Sequence, residues 1–253
     1  MSNSFDDELH SLTLSEDGSY TAYSKEYDEH YHSTKDGALN ESLYKHVIPA
    51  FSVTDKDEIN ILDICYGLGF NTLATVIYVK ENFPNKKINI YSPELDASLV
   101  KSLTEFTYPE EFNGLALMIK SLSESHIYKD EQFYIELFVG DAREYIKKFH
   151  NKFDIVYQDA FSPSTNPILW TKEYFSDIKN TMKREAVLTT YSIAFKTRLA
   201  LYESGLTLYT NSGKDYRTAT IATAKILSTF DKVDMPHKIS CNKGIISLRD
   251  GEL

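Results

Sequence analysis

"INILDICYGLGFNTLATVIYVKENF" (residues 59–83) is the stretch that decides the fold. Ile59, Ile61, Leu62 and Ile64 form a short apolar run without clean alternation, as a strand buried on both faces should. Gly67 and Gly69 punctuate it. Beyond them Leu73, Val76 and Ile77 recur at helical spacing. A strand, a glycine turn and a helix in immediate succession make the opening unit of a parallel sheet covered by helices.

Working outward, the same alternation recurs. Strands are predicted at 88–94, 133–140, 153–159 and 186–192, and helices at 71–83, 97–106, 142–150, 171–185 and 194–205. "LTLYTNS" (206–212) and "TATIATAKIL" (218–227) read as two late, antiparallel strands. The expected architecture is α/β and Rossmann-like: a mostly parallel seven-stranded sheet with helices on both faces. Residues 107–131 break the rhythm and read as an insertion over the sheet edge. Ahead of the sheet, residues 10–24 alternate around Asp17-Gly18, which suggests a hairpin. Leu39, Leu43, Val47 and Ile48 mark a helix over 38–51 that should end near Pro49. Residues 1–55 are therefore read as an N-terminal extension of hairpin plus helix, and 56–253 as the main domain.

The 253 residues, 42% hydrophobic and 25% charged, suffice for one sizeable core. The N-terminus has no basic start followed by an apolar run, so no secretory signal is read. No apolar run approaches the roughly 20 residues of a membrane span. Cys65 and Cys241 make no disulfide framework, and no Cys/His spacing suggests a metal site. A cytoplasmic, metal-free protein is expected. The net charge is −10, unevenly spread: residues 1–60 hold 13 acidic and 4 basic side chains, residues 160–253 hold 9 and 13. A phosphate-rich partner would have to dock on a local patch, against the global field.

In sheets of this kind ligands bind beyond the carboxyl ends of the strands. Gly67 and Gly69 sit at the first such end, where they permit either a plain tight turn or a close backbone approach to a ligand. Thr72 stands where a dinucleotide fingerprint needs its third glycine, which argues against a pyrophosphate cofactor. Glu94, at the second end, is placed to accept from both hydroxyls of a ribose, or to be a solvated turn acid. Asp141, at the third, caps the next helix or accepts from an adenine amine. Together the three ends describe a cleft for an adenosine-type ligand without a pyrophosphate, and S-adenosylmethionine fits that description. Asp159 ends the fourth strand, between an apolar run and the proline-stiffened "SPSTNP" (162–167). A carboxylate held there suits a nitrogen nucleophile that must shed a proton, or it is a structural loop acid.

"CYGLGFN", "YSPE", "VGDAREYI" and "QDAFSPSTNPILWTKEYF" resemble the methyltransferase domain of the MnmC family of tRNA wobble-uridine modification enzymes. "YHSTKDGALNE" (31–41) resembles that family's cofactor lid. The resemblance runs over about residues 20–225 and implies a class I methyltransferase fold. It implies methyl transfer from S-adenosylmethionine to the aminomethyl group of 5-aminomethyl-2-thiouridine in the tRNA anticodon arm. It implies a cofactor site at Tyr31, Glu41, Gly67, Gly69, Asn71, Glu94, Asp141 and Ala142, with Asp159 as base. Phe161, Pro163, Trp170 and Tyr191 would ring the substrate, and Lys196, Arg198 and Arg217 would meet phosphates. It further implies a stand-alone enzyme without the family's flavin-dependent oxidase domain. Tyr66, Leu68 and Ala160 depart from the family pattern, and its late basic run survives only as Lys214 and Arg217. Two other readings stay open: a transferase acting on a small amine, methyl or aminopropyl, and a binding module without chemistry. For Trp170 the alternative to stacking is a core anchor.

Overall fold

The computed structural model describes residues 5, 8–214 and 216–252. A small antiparallel sheet comes first: β1 (His10–Leu14), β2 (Tyr20–Ser24) and β3 (Glu29–His30). The hairpin turns at Gly18, whose φ of 84° suits a residue without Cβ. The helix that follows does not stop at Pro49. It runs from α1 (Ala38–Glu41) through a π-helical segment (Ser42–Val47) into α2 (Ile48–Ser52). The Ile48 N–H reaches back to the Leu43 carbonyl, five residues away. That widened turn sits just ahead of a proline that cannot donate, so the chain stays helical across it.

The main sheet is built from β4 (Glu58–Ile64), β5 (Lys87–Glu94), β6 (Ile127–Lys129), β7 (Phe133–Val139), β8 (Phe153–Gln158), β9 (Met182–Thr190), β10 (Thr207–Asn211), β11 (Ala219–Thr223) and β12 (Asp231–Lys232). Their order is β12-β10-β11-β9-β8-β4-β5-β7-β6. The seven expected strands are present, and two short ones, β6 and β12, extend the edges. β4, β5, β7, β8 and β9 run parallel, while β11 opposes both of its neighbours. Between them lie α3 (Phe70–Asn82), α4 (Ala97–Ser102), α5 (Ala116–Ser125), α6 (Ala142–Ile146), α7 (Lys172–Thr181) and α8 (Phe195–Glu203), with α9 (Met235–Cys241) near the end. Residues 107–131 supply a 3-10 turn, α5 and the edge strand β6, so the interruption does lie at the sheet edge.

β4 shows why the strand grammar is apolar throughout. Ile59, Ile61, Leu62 and Ile64 are all buried, and they divide between two apolar clusters, one on each side of the sheet. Each such side chain contributes about 1.5–3 kcal/mol of burial. Ala22, Ala38, Val47 and Ala50 join the cluster of Ile59 and Ile61, so the first fifty residues share the sheet's core.

One boundary differs from expectation. Residues 182–185 belong to β9 rather than to the helix before it. Met182 pairs with Phe153, and the Lys183 ammonium reaches Asp154 at 2.7 Å. Asp154 is buried and also accepts from Lys56 Nζ at 2.6 Å and the Asn60 N–H at 3.0 Å. Burial raises its pKa, but the Asn60 N–H and the two lysines hold the carboxyl below its ordinary value. A depressed carboxylate stabilises the fold above its unfolded pKa, and that stability is lost as pH falls through the folded value. Asp154→Asn should therefore lower unfolding stability near neutral pH by about 1–3 kcal/mol in urea titrations. The gap to wild type should narrow below pH ~4; a gap that is constant with pH would show that Asp154 acts by shape alone.

Candidate active site

The carboxyl ends of β4, β5, β7, β8 and β9 open into one cleft of about 1290 Å³. At the end of β4 the chain takes Cys65 and Gly67 through φ of 64° and 54°, and Gly69 at 80° begins α3. Gly67 carries the close approach: the Tyr31 ring lies 3.1 Å from where its Cβ would stand. Its N–H donates to Glu94 Oε2 at 2.7 Å, and the Asp96 N–H donates to Oε1 at 2.9 Å. Burial pushes the Glu94 carboxyl above its ordinary value, against those two backbone donors. Each oxygen still keeps a lone pair for a further hydroxyl. Asp141 caps α6 through Oδ1, which accepts from the Arg143 and Glu144 N–H groups, so the helix-cap reading holds. Its carboxylate, with Ala142, also lines the cleft.

At the other wall Asp159 accepts from Asn71 Nδ2 at 2.8 Å. Its second oxygen lies 3.4 Å from Nε2 of the buried His46. Burial alone would raise the Asp159 pKa, but the His46 ring, His32 and Asn71 hold it well below the usual carboxylate range. The loop after Asp159 is pinned along its length. Trp170 Nε1 donates to the Phe161 carbonyl at 2.7 Å, Tyr191 Oη to the Ala160 carbonyl at 2.9 Å, and Gln158 Nε2 to the Leu169 carbonyl at 3.0 Å. The Ser162 N–H donates to the Glu29 carboxylate. Phe161 stacks on Tyr27 at 4.7 Å between ring centres and tilts against Tyr31 at 4.9 Å. Besides its two prolines, four side chains, those of Glu29, Gln158, Trp170 and Tyr191, hold this loop.

Of the residues singled out from sequence, Tyr31, Glu41, Gly67, Asn71, Glu94, Asp141, Ala142, Asp159, Phe161, Tyr191 and Arg217 face this one cleft. Gly69 and Pro163 do not line it. Gly69 is covered by Tyr66, whose hydroxyl lies 2.5 Å from the built Cβ position, so this glycine serves the turn. Trp170 is a correction. It is fully buried in the second core cluster, edge-on to Phe175 and Tyr191, and is not available for stacking. Arg198 is another: it is buried, and its Nε donates to Thr220 Oγ1 at 3.0 Å. Lys196 is exposed but outside the cleft. Arg217 lines the mouth and donates to Asp36 Oδ2 at 2.9 Å. Sequence reading passed over Lys45, which bridges Asp36 and Glu41 at 2.6 and 2.7 Å, and over Tyr27, Glu29 and His46. His46 had a signal: it stands three residues after Leu43 and seven after Leu39, on the inward stripe of its helix.

The cleft is acidic. Glu26, Glu29, Glu41, Glu94, Asp96, Asp141 and Asp159 line it, against Lys35, Lys45, Arg143 and Arg217, of which Lys45 and Arg217 are tied to Asp36 and Arg143 to Asp250. Such a field favours cationic ligands.

Residues 110–225 match the model of a family described as S-adenosyl-L-methionine-dependent methyltransferase. The crystal structure of MNMC2 from Aquifex aeolicus superposes with a TM-score of 0.83 at 29% identity, covering 98% of this chain and 81% of that one. In part of its sequence and in its whole fold the chain is similar to S-adenosyl-L-methionine-dependent methyltransferases of the MnmC type. An uncharacterized protein of Methanocaldococcus jannaschii, MJ0670, is 34% identical over 203 residues, covering 79% of this chain and 55% of that protein. The tRNA 5-methylaminomethyl-2-thiouridine biosynthesis bifunctional protein MnmC of Azoarcus sp. (strain BH72) is 28% identical over 211 residues, 77% of this chain and 32% of that protein. The chain thus spans about half the length of the first relative and a third of the second. The matched family is S-adenosyl-L-methionine-dependent, and the residues at the strand ends suit that cofactor. Among the described residues no helix is long and apolar enough to cross a membrane, and no three His, Cys, Asp or Glu side chains gather as a metal site.

One more carboxyl lies beneath the glycine turn. Asp63 is fully buried and accepts from Thr72 Oγ1 at 2.8 Å. Burial pushes its pKa up to about 7, the Thr72 bond opposes that, and the Asp159 charge adds to it. A carboxyl whose folded pKa is raised favours the fold while protonated, so stability declines as pH rises from the unfolded value to the folded one. Asp63→Asn should flatten that decline between pH ~4 and ~7, with a difference on the order of a few kcal/mol by pH 8. Thermal melts of both proteins across this range check it, and parallel curves would remove Asp63 from the account.

Proposed function

We propose that this methyltransferase transfers a methyl group to the exocyclic amine of 5-aminomethyl-2-thiouridine at the wobble position of tRNA, giving 5-methylaminomethyl-2-thiouridine. The observation that carries the reading is Asp159: a buried carboxylate that accepts from Asn71, faces the His46 ring and opens to an acidic cleft. Bound S-adenosylmethionine supplies an electrophilic methyl on a sulfonium. Glu94 would hold its ribose hydroxyls, Asp141 and Ala142 its adenine, and Tyr31, Glu41, Gly67 and Asn71 its amino-acid half. Asp159 gathers and orients the substrate amine. Its depressed pKa keeps it ionised and so available to accept from N–H groups of the neutral amine, but makes it a weak proton store, so the proton of an ammonium substrate must pass on to solvent. It also provides a counter-charge for the positive nitrogen that develops as the methyl arrives. A pinned loop holds that acceptor in place, which is where proximity contributes most.

The cleft exceeds the roughly 300–1,000 Å³ of ordinary small-ligand pockets, so a second ligand of nucleoside size has room beside the cofactor. A single unstacked base is the part of RNA that proteins read well, and Phe161, Tyr27 and Tyr191 offer it an aromatic wall. The tRNA backbone, in contrast, meets an acidic protein. Contacts at Arg217, Lys214 and Lys196 would be few, so binding should weaken with salt on a shallow slope. A tRNA substrate implies a cytoplasmic site of action. The acidic cleft equally suits a free ammonium, which keeps a small-amine substrate as the second reading.

Glu94→Ala is expected to weaken S-adenosylmethionine binding at least about tenfold in calorimetry, because two ribose hydroxyls lose a buried acceptor. Unchanged affinity would remove Glu94 from the site. Asp159→Asn should leave that affinity nearly intact and cut turnover by roughly 10²–10⁴. Near-normal turnover from about pH 6 to 9 in that variant would make Asp159 a structural residue. The substrate itself is tested with labelled S-adenosylmethionine and three acceptors: tRNA carrying 5-aminomethyl-2-thiouridine, unmodified transcript, and putrescine. Transfer to the modified tRNA alone is expected; transfer to putrescine with none to tRNA would establish the small-amine reading instead.

A further inference from the structure

His46 is the one group in contact with the Asp159 carboxylate that does not face the cleft. It sits in the π-helical turn Ser42–Val47 and is completely buried. Its Nδ1 lies 3.0 Å from Thr189 Oγ1 on β9, and its ring stands edge-on to Tyr157 of β8. Its Nε2 is buried, meets no partner at full hydrogen-bonding geometry, and lies 3.4 Å from Asp159 Oδ1. A buried ring nitrogen left without a partner is costly, and a nearby carboxylate oxygen is the natural one. Contacts of this length commonly tighten once a substrate completes the site.

We infer that His46 is a positioning residue for the Asp159 carboxylate, donating Nε2–H to Oδ1 while Asn71 donates to Oδ2. Three features support the assignment. The Thr189 hydroxyl can donate to Nδ1, which places the ring proton on Nε2. With one oxygen held by Asn71 and the other by His46, the plane of the carboxylate is fixed and its remaining lone pairs point to the cleft. The π-helical turn that carries His46 also departs from ordinary helix geometry, as such turns frequently do at functional sites. The other ionisable groups facing this ring are His32, Asp63 and Tyr157, with Glu41 and Lys45 on its own helix. Glu41 and Lys45 are paired to each other, and Asp63 accepts from Thr72 through Oδ2; Asp63 Oδ1 and His32 Nδ1 are buried without a partner, but the carboxylate within 4.0 Å of Nε2 is that of Asp159.

The inference rests on the proposed role of Asp159, but its first test does not need a substrate. Nitrogen-15 NMR of histidine-labelled protein should show His46 protonated at Nε2, with its signal displaced in Asp159→Asn. A His46 signal indifferent to that substitution overturns the pairing, whatever the substrate is. The second test uses whichever acceptor the wild type methylates. His46→Leu should lower kcat at least about tenfold while S-adenosylmethionine affinity changes by less than about threefold. His46→Gln, which restores a neutral donor at a similar reach, should return kcat to within about threefold of wild type. Full activity in the leucine variant, an equal loss of cofactor affinity, or a glutamine variant no better than leucine would each overturn it. If wild type methylates neither tRNA nor amine, the reading of the reaction fails, and the NMR result still decides the pairing.

Discussion

A carboxylate kept ionised out of water is the constraint around which the site is organised. Asp159 is nearly enclosed, and enclosure by itself favours the neutral acid. What reverses the balance is geometry drawn from distant parts of the chain: Asn71 from the first turn of α3, His46 from the N-terminal helix, and the end of β8 itself. The residues ahead of the sheet therefore do more than line the cleft. Without the helix that carries His46, the carboxylate at the centre of the site would lose the ring nitrogen that faces its Oδ1.

The same balance runs the other way one strand along. Asp63 and Asp159 lie within each other's field, one pushed toward neutrality and the other toward charge. Two neighbouring buried carboxyls cannot both be ionised cheaply, and the surroundings choose between them. Asp63 has Thr72 as its principal donor, with Asn71 a smaller influence; Asp159 has an amide and an imidazole. Which carboxylate faces the substrate is thus settled by their donors as much as by position.

The sheet was legible because its strands bury both faces. Runs such as Ile59–Ile64 leave few alternatives, and glycines at strand ends mark the turns. Strand-end placement also located Glu94, Asp141 and Asp159 in one cleft before any contact was known. What the sequence concealed is pairing between remote segments. Nothing local says that residues 182–185 leave the helix, because the reason is Asp154 across the sheet. Nothing local says that the helix survives Pro49, because a widened turn absorbs it. Trp170 carried the same ambiguity. A tryptophan between a loop and a helix can stack or anchor, and only the Phe161 carbonyl and the ring of Phe175 decide for anchoring.

That anchoring has a functional consequence. The loop after Asp159 forms one wall of the cleft, and a mobile wall would leave the Asp159 carboxylate free to turn. Trp170 below, Tyr191 beside and Glu29 from the N-terminal sheet each hold a different backbone group of that loop. Two of these, Tyr191 and Glu29, also line the cleft. The groups that fix the wall are therefore partly the groups that shape the cleft, so its form and the orientation of Asp159 are set by the same contacts. An acidic, pre-formed cleft of this kind selects its ligand by a cationic nitrogen presented at the right depth. A polyanionic chain can satisfy it only by offering one base to the interior while its phosphates stay at the mouth.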